Sequence, residues 1–271
     1  MPRLDQMLVE RHLCESREKA KRLILAGQVR INGQPARKPS DGVKPADDVS
    51  VAAPEKFVSR GGYKLEHALN HFQLDVAGLT VIDLGASTGG FTDCLLQHGA
   101  RKIYAVDVGQ GQLAWKLRQD PRVVVMEKTN ARYLTCRDFK DGTGDPPVPA
   151  GSSPNRPGES SALPRLDSPA ELIVVDCSFI SLKKILPPAV PLLRHDGRIV
   201  ALIKPQFEAG KAEADKGRGV IIDSAVHARV LAELQHFVAA QAGLCWRGVV
   251  ESPLLGPAGN KEFLALIEKV R

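Results

Sequence analysis

Fourteen residues, Thr80 to Asp93 (TVIDLGASTGGFTD), constrain this chain more than any other stretch. An apolar run, Val81 and Ile82, ends in an acid, Asp83, and a glycine-rich turn follows at Gly85, Gly89 and Gly90. Phe91, Cys94, Leu95 and Leu96 then carry helical spacing. Glycines in such a loop let the backbone approach a ligand where a Cβ would collide. The spacing is G-x-x-x-G-G, not the G-x-G-x-x-G of the dinucleotide-binding turn. A second acid, Asp107, closes the next apolar run, KIYAVDV. It lies roughly 20 residues on, where a carboxylate at a strand end can hold a ribose diol. The two acids and the loop point to a nucleoside-bearing cofactor. The alternative is a tight strand-to-helix turn of an α/β protein with no ligand.

Beyond this stretch, strand-like and helix-like segments alternate. Candidate strands are 80–84, 101–107, 122–127, 171–176, 197–203, 244–251 and 261–267. Helical patterns separate most of them, which predicts a mostly parallel sheet with helices on both faces. The last two are joined by SPLLGPAGN, too short for a helical crossover, so they should form an antiparallel pair at one edge. The expected class is α/β: a doubly wound, seven-stranded, mostly parallel sheet with an antiparallel last strand, of the class I methyltransferase type. A small α+β module precedes it. A dinucleotide domain is parallel throughout, so this pattern favours S-adenosylmethionine over NAD. Residues 141–170 interrupt the alternation. They are rich in Pro, Gly and Ser and poor in large apolar residues, and such a segment cannot bury enough surface to offset the entropy of ordering it. They read as a disordered insertion between the third and fourth strands.

The N-terminal unit reads differently. Arg3-Leu4-Asp5 opens a helical pattern, Ser16 has the look of an N-cap with Glu18 in the favourable first turn, and Gly27 is a natural stop for the second helix. Val29 and Ile31 alternate as in a strand, Asn32-Gly33 is a strong hairpin signal, and a short strand around Val49 and Val51 closes the unit. The expected division is a module at 1–52, a linker at 53–63 and a large domain at 64–271. Basic residues crowd the module: Arg11, Arg17, Lys19, Lys21, Arg22, Arg30, Arg37 and Lys38. With Arg3 and the linker's Arg60, they are candidates for a phosphate-contacting face. An ordinary solvated helix face is the alternative. The net charge of +6 agrees with a polyanionic partner.

Other classes are disfavoured. The longest apolar runs, such as ELIVVDCSFI, fall far short of the roughly 20 residues of a membrane span. The start, MPRLDQMLVERHL, has no apolar signal core, so a cytoplasmic location is expected. Five scattered cysteines, none in C-x-x-C spacing, argue against a disulfide framework and a zinc site. His67 and His71 share a helix face but lack a third ligand, so no metal site is expected.

Two charged residues stand at strand ends in the large domain. Asp176 ends ELIVVD, and Lys204 ends GRIVALIK. Residues just past the carboxyl ends of central strands line the ligand crevice of an open α/β sheet. The fourth and fifth strands are expected beside the glycine-loop strand, so both side chains should project toward the cofactor's reactive end. Solvated strand caps are the alternative.

The order R-L-D, L-V, S-R, I-L-x-G-x-V-x-I-N-G in the first 50 or so residues resembles the S-four-like RNA-binding module of ribosomal and RNA-modifying proteins. Residues 57–267 resemble the TlyA family of ribosomal RNA 2′-O-methyltransferases, which share the FtsJ-type catalytic domain. The matching motifs are V-S-R-G-G-Y-K-L, D-L-G-A-S-T-G-G-F-T-D, A-V-D-V-G, T-N-A-R, V-V-D-C-S-F-I-S-L, K-P-Q-F-E-A-G and G-N-K-E-F. The resemblance implies transfer of a methyl group from S-adenosylmethionine to a ribose 2′-hydroxyl of ribosomal RNA, at a cytidine. It implies ribosomal RNA or ribosomal subunits as partners. A Lys-Asp-Lys-Glu tetrad carries over as Lys64, Asp176, Lys204 and Glu262, with Glu251 a rival for the last place. The implied cofactor residues are Asp83, Gly85, Ser87, Gly89, Gly90, Phe91, Asp107, Asn130 and Asp176.

A ribose 2′-hydroxyl must lose its proton as it attacks, and a lysine serves as base only where a neighbouring cation or desolvation lowers its pKa. Lys204 is the expected base and Lys64 the neighbouring cation. Asp176 would orient Lys204, and Glu262 would hold Lys64 or the ribose. Three other readings compete: a non-catalytic RNA- or ribosome-binding protein, a membrane-active haemolysin (a name family members have carried), and an NAD-dependent oxidoreductase.

Overall fold

A computed structural model of the chain describes residues 1–52, 55–136, 165–210, 213, 217 and 219–270. The chain divides into two compact units, Met1–Lys56 and Phe57–Arg271.

In the smaller unit, α1 (Leu4–Glu10) and α2 (Arg17–Leu25) pack beside three strands, β1 (Val29–Ile31), β2 (Gln34–Pro35) and β3 (Val49–Val51). Ser16 caps α2: its side chain accepts from the Lys19 amide at 3.2 Å, which satisfies a donor the helix leaves open. Asn32 and Gly33 both adopt positive φ, +50° and +79°, the two left-handed positions of a tight β1–β2 turn. Leu4, Leu8, Ala20, Ile24, Val29, Val43 and Val49 form the core. Asp5, also buried, accepts from Arg3 Nε at 3.0 Å and from Arg17 Nη2 at 3.1 Å. The Arg3 guanidinium, joined by that of Arg17, holds its carboxyl below the ordinary aspartate range.

The larger unit is built on a seven-stranded sheet. Its strands are β4 (Thr80–Leu84), β5 (Lys102–Val106), β6 (Val123–Met126), β9 (Ala170–Val175), β10 (Leu193–Ile203), β11 (Leu244–Glu251) and β12 (Phe263–Lys269). The order is β11-β12-β10-β9-β4-β5-β6. The ladders are parallel from β10 through β6, and β12 runs antiparallel to both β10 and β11. The reversed last strand is thus inserted second from the edge. One expectation is corrected here: β9 pairs with the glycine-loop strand β4, but the fifth strand, β10, lies one place further out.

Side chains alternate in a strand, and the alternation divides the core in two. Val81, Val200, Leu202, Leu264 and Leu266 face α3 (Gly61–His71), α4 (Gly90–Gln97) and the short α5 (Trp115–Arg118). Ile82, Leu84, Ile199, Ala201, Ile203 and Ala265 face α6 (Leu182–Ala189) and the helix Ser224–Ala239. Each fully buried aliphatic side chain contributes roughly 1.5–3 kcal/mol. Every residue of the central β4 is buried, as expected of a strand covered on both faces.

Several boundaries differ from the expectation, the last strand among them, which runs Phe263–Lys269 rather than over 261–267. Gly61–Tyr63, read as the end of a linker, form the first turn of α3, and Phe57 is buried in the larger core. β10 starts at Leu193, four residues early, through an irregularity between Leu193 and Arg198. Of the expected insertion at 141–170, residues 141–164 lie outside the described residues. Its last six belong to the fold: β8 (Arg165–Leu166) pairs with β7 (Thr135–Cys136), and Leu166 is fully buried.

Candidate active site

The strands of the parallel ladder end on one edge of the sheet, and that edge carries a cleft of about 760 Å³. Gly85, Ser87, Gly90, Lys64, Asp176, Lys204 and Glu262 all line it. Register explains how residues so far apart in sequence meet. The last β10–β12 pair is Ile203 with Phe263, so the next residues outward, Lys204 and Glu262, emerge side by side. Asp176 follows Val175 at the end of the neighbouring β9. Lys64 reaches the same edge from the first turn of α3.

These four side chains form two ion pairs. Lys64 Nζ bonds Glu262 Oε2, both side chains buried. Lys204 Nζ lies 2.6 Å from Asp176 Oδ1 and donates to Ser178 Oγ at 2.8 Å. A charged pair is sustained away from water only when each charge meets its partner, and here two cations meet two carboxylates. Among the described residues, Glu262 Oε1 has no hydrogen-bond partner, and Gly256 packs against it. Glu251, the rival acid, is exposed and pairs with Lys261 at 3.1 Å.

The glycine loop forms the opposite wall. Gly85 has φ +88°, and a Cβ there would stand 2.7 Å from the Asp176 carbonyl oxygen, so the residue must lack a side chain for two reasons. At Gly90 an added methyl would collide with Ser59 Oγ and the Gly62 amide, so the segment before α3 is packed onto the loop. Asp93, buried on α4, accepts from the Val58 amide at 2.8 Å and pairs with Lys116 at 2.9 Å, which fixes that segment further.

Three carboxylates surround the loop. Asp107 accepts from the Ser87 amide at 2.8 Å and the Gly109 amide at 2.7 Å. Asp83 is fully buried beneath the loop; Oδ2 accepts from Thr92 Oγ1 at 2.7 Å, and Oδ1 has no hydrogen-bond partner among the described residues. Burial pushes the Asp83 carboxyl up to about 7, and the charges of Asp176 and Asp107 add to the effect against the Thr92 bond. Burial, with Asp176 beside it, pushes the Cys177 thiol up to about 12, so this cysteine stays neutral and unreactive.

Gly89 and Asn130 do not line the cleft, and Phe91 does so only in part. Gly89 faces Leu113 and Leu117, where any side chain would collide. Phe91 lines the cleft but is mostly core. Asn130 is exposed and its side chain caps the turn Ala131–Tyr133, although the Thr129 amide donating to the Asp107 carbonyl at 2.9 Å keeps that turn beside Asp107.

The cleft also holds residues whose roles sequence reasoning passed over. Phe179 is 89% exposed, has φ +64°, and its ring lies 5.1 Å from that of Phe207. Ser178 holds Lys204. Glu208 accepts from Ser181 Oγ at 2.6 Å and the Leu182 amide at 2.8 Å, tying the short helix α7 (Pro205–Glu208) to the loop after β9. The motifs D-C-S-F-I-S and K-P-Q-F-E contained all of these, but nothing in their spacing announced an aromatic pair.

Among the candidate RNA contacts in the smaller unit, several guanidinium groups have internal partners. Arg3 and Arg17 hold Asp5, Arg11 donates to the Asp47 and Pro45 carbonyls at 2.9 and 2.8 Å, and Arg30 donates to the Gly33 carbonyl at 2.9 Å. Lys19 pairs with Glu15 at 2.9 Å, while Lys21 and Arg22 are exposed on α2. Arg60 is exposed and lines the cleft of the larger unit.

Comparison with known proteins bears on this arrangement. Residues 57–269 match the FtsJ-like methyltransferase model, nearly four-fifths of the chain. The chain belongs to the FtsJ-like methyltransferase family. Residues 2–49 match the S4 domain. Both units are shared with the TlyA proteins. TlyA of Mycobacterium tuberculosis, named a 16S/23S rRNA (cytidine-2′-O)-methyltransferase, is 45% identical over 96% of this chain and 87% of its own. YqxC of Bacillus subtilis, which carries an rRNA-methyltransferase name, is 47% identical over 97% of this chain and 84% of its own. A hemolysin-named structure from Streptococcus thermophilus is 40% identical, covers 99% of this chain and 88% of its own, and superposes with a TM-score of 0.68. This FtsJ-like methyltransferase thus belongs to the TlyA family that its motifs resemble. Among the described residues, no helix is long and apolar enough to cross a membrane.

Proposed function

We propose that this methyltransferase uses S-adenosylmethionine to methylate a ribose 2′-hydroxyl of ribosomal RNA, at a cytidine. The observation that carries the reading is the pair of lysine–carboxylate contacts, Lys204–Asp176 and Lys64–Glu262, gathered in the cleft that the Gly85–Gly90 loop lines. The relatives named for cytidine 2′-O-methylation supply the substrate class.

The residues present fit the cofactor. Ionised carboxylates only accept hydrogen bonds, and Asp83, Asp107 and Asp176 in that form suit a ligand with a cationic amino acid end and a ribose diol. Gly85 leaves a cradle that a Cβ would fill. Among the described residues, Asp83 Oδ1 is a buried acceptor with no hydrogen-bond partner. When bound, this cofactor supplies an electrophilic methyl group on a sulfonium. Asp107 would hold the ribose, with Ser87 and Gly109 fixing its carboxylate.

The chain's own groups do the remaining work. Lys204 acts as the base, and Asp176 and Ser178 aim its nitrogen. Lys64, anchored by Glu262, stays a fixed positive charge beside the oxygen as that oxygen gains negative charge. Holding hydroxyl, base and methyl donor in one line supplies much of the acceleration. Phe179 offers an exposed ring at the cleft, backed by Phe207, on a backbone conformation that costs about 1–3 kcal/mol to hold. An unstacked base laid on such a ring gains about 1–3 kcal/mol. The exposed lysine and arginine of α2, with Arg60, supply phosphate contacts, and a cytoplasmic location follows from the substrate.

The test is transfer of a labelled methyl group to separated ribosomal subunits and to naked ribosomal RNA, followed by mapping of the label. Label on a base rather than a ribose, or on neither nucleic acid, overturns the proposal. Lysis of liposomes without methyl transfer would favour the membrane-active reading instead.

A further inference from the structure

Asn260 is 1% exposed, lines the cleft, and lies two residues before Glu262. Its side chain spends both ends on one neighbouring segment. Oδ1 accepts from the Ile221 amide at 2.8 Å, and Nδ2 donates to the Gly219 carbonyl at 2.8 Å. A reversed amide would lose both bonds, so the orientation is determined. The Asn260 carbonyl also accepts from the Gly256 amide at 2.8 Å, closing the turn that packs against Glu262 Oε1. Ile221 is held a second time: its carbonyl lies 3.0 Å from His227 Nε2, and the buried His227 ring stands edge-on to Phe263, 5.7 Å between centroids. Ile221 itself is core, whereas Ile222 is 88% exposed.

We infer that Asn260 is a positioning residue that locks the Gly219–Ile221 backbone to the start of β12 and thereby holds Glu262 and the substrate-side wall of the cleft in register. The inference rests on the methyl-transfer reading for what the wall faces. Sheet order gives the side. The cofactor loop leaves β4 and Asp107 leaves β5, whereas β12 lies three places from β4 across β10 and β9. Gly219, Asn260 and Glu262 therefore bound the half of the cleft away from the cofactor loop. Gly219–Ile221 closes the excursion that begins at Lys204 and α7, so one amide ties the segment after the base to the strand that carries Glu262.

Two full-length variants test this. Asn260→Ala removes both bonds and leaves the buried Ile221 amide unpaired, so kcat/KM for RNA should fall about ten- to a hundred-fold. Cofactor affinity, measured by calorimetry without RNA, should stay within about two-fold, because no cofactor residue is touched. Asn260→Asp is the sharper probe. Ionised, the new carboxylate still accepts from Ile221 but faces the Gly219 carbonyl acceptor to acceptor. Protonated, it donates to that carbonyl and restores both bonds. The ratio of variant to unaltered activity should therefore rise as pH falls from about 8 to about 5. Among the described residues, the titratable groups around it are Glu262 on the same strand start, Lys64 facing Glu262 from α3, and His227 on the neighbouring helix. They are common to both proteins and cancel in the ratio.

Unaltered kinetics in Asn260→Ala, a ratio flat with pH, or a parallel loss of cofactor affinity would overturn the positioning role. If the unaltered protein transfers no methyl to any RNA, the functional reading fails separately. Amide hydrogen exchange at Ile221 then decides the latch, which stands if Asn260→Ala speeds that exchange and falls if it does not.

Discussion

Replacing Asp83 with asparagine should reverse the sign of its effect on stability between acid and mildly alkaline pH. The carboxyl is fully buried, and one oxygen has no hydrogen-bond partner among the described residues. Its ordinary value is 3.8 and burial carries it to about 7, so it ionises about three pH units later in the folded chain than in the unfolded one. Below about pH 4 it is neutral in both states and exacts no penalty. From about 4 to 7 the unfolded chain has released the proton and the folded chain has kept it, so folding loses about 1.4 kcal/mol per pH unit. Above about 7 the loss levels off near 4 kcal/mol. Asparagine removes that loss and keeps an acceptor for Thr92, but it buries an unpaired amide worth about 1–3 kcal/mol. The variant should thus be less stable than the parent near pH 4 and more stable by about 1–3 kcal/mol near pH 8. In a unit of this size that gain is roughly 2–12 °C in melting temperature. Urea unfolding of the protein without cofactor measures it. Tryptophan fluorescence isolates the larger unit, since Trp115 and Trp246 both lie there. A difference between the two proteins that is constant from pH 4 to pH 8 would refute the reasoning, because only a proton retained on Asp83 makes it vary.

Three further outcomes are expected. Lys204→Ala should lower the rate of methyl transfer by about 10²–10⁴ while leaving cofactor affinity near that of the parent; a near-normal rate removes Lys204 as the base. Phe179→Ala should lower kcat/KM for RNA by about five- to a hundred-fold with no change in cofactor binding, and an equal loss for both ligands would mean that the ring only supports the loop. Deleting residues 1–51 should weaken capture of ribosomal RNA in a filter-binding assay and spare cofactor affinity, so that equal RNA affinity in the shortened chain would end the case for the smaller unit as an RNA-binding module.

Much of this architecture could be read from the chain because the relevant signals are local. Asn32-Gly33 demands a tight turn, Ser16 can cap α2, and Thr80–Asp93 must pass from strand to helix through glycines. Each statement involves residues a few positions apart. The short SPLLGPAGN connection likewise requires β11 and β12 to be antiparallel neighbours. What it leaves open is which of the two lies against β10, since either arrangement satisfies the hairpin. That single choice sets Lys204 beside Glu262, residues 58 positions apart in the chain. Asp5 presents a similar gap: it reads as a helix opener, yet it is buried and gathers Arg3 and Arg17, two residues expected to face RNA. The exposure of Phe179 was hidden for the opposite reason. A phenylalanine after a buried strand is ordinarily core, and only its positive φ turns the ring out.

The division of labour in the cleft follows from where each strand ends. β4 and β5 contribute backbone amides and carboxylates, groups that suit a cationic ligand with a diol. β9 and β10 contribute Asp176 and Lys204, one charge of each sign, at the centre of the sheet. β12 contributes Glu262, and because it runs against its neighbours it presents its N-terminal start at the edge where they present their C-terminal ends. Were β12 parallel, its start would lie on the opposite edge and Lys64 would face the cleft without a counter-charge. A buried ammonium without a partner is unstable, and the reversed strand supplies the carboxylate that pairs with Lys64 at the site. The same reversal brings Asn260, just ahead of Glu262, against the segment that follows Lys204. Strand direction therefore does chemical as well as topological work: it is what allows two lysines to occupy one cleft, each held by a carboxylate from a different strand.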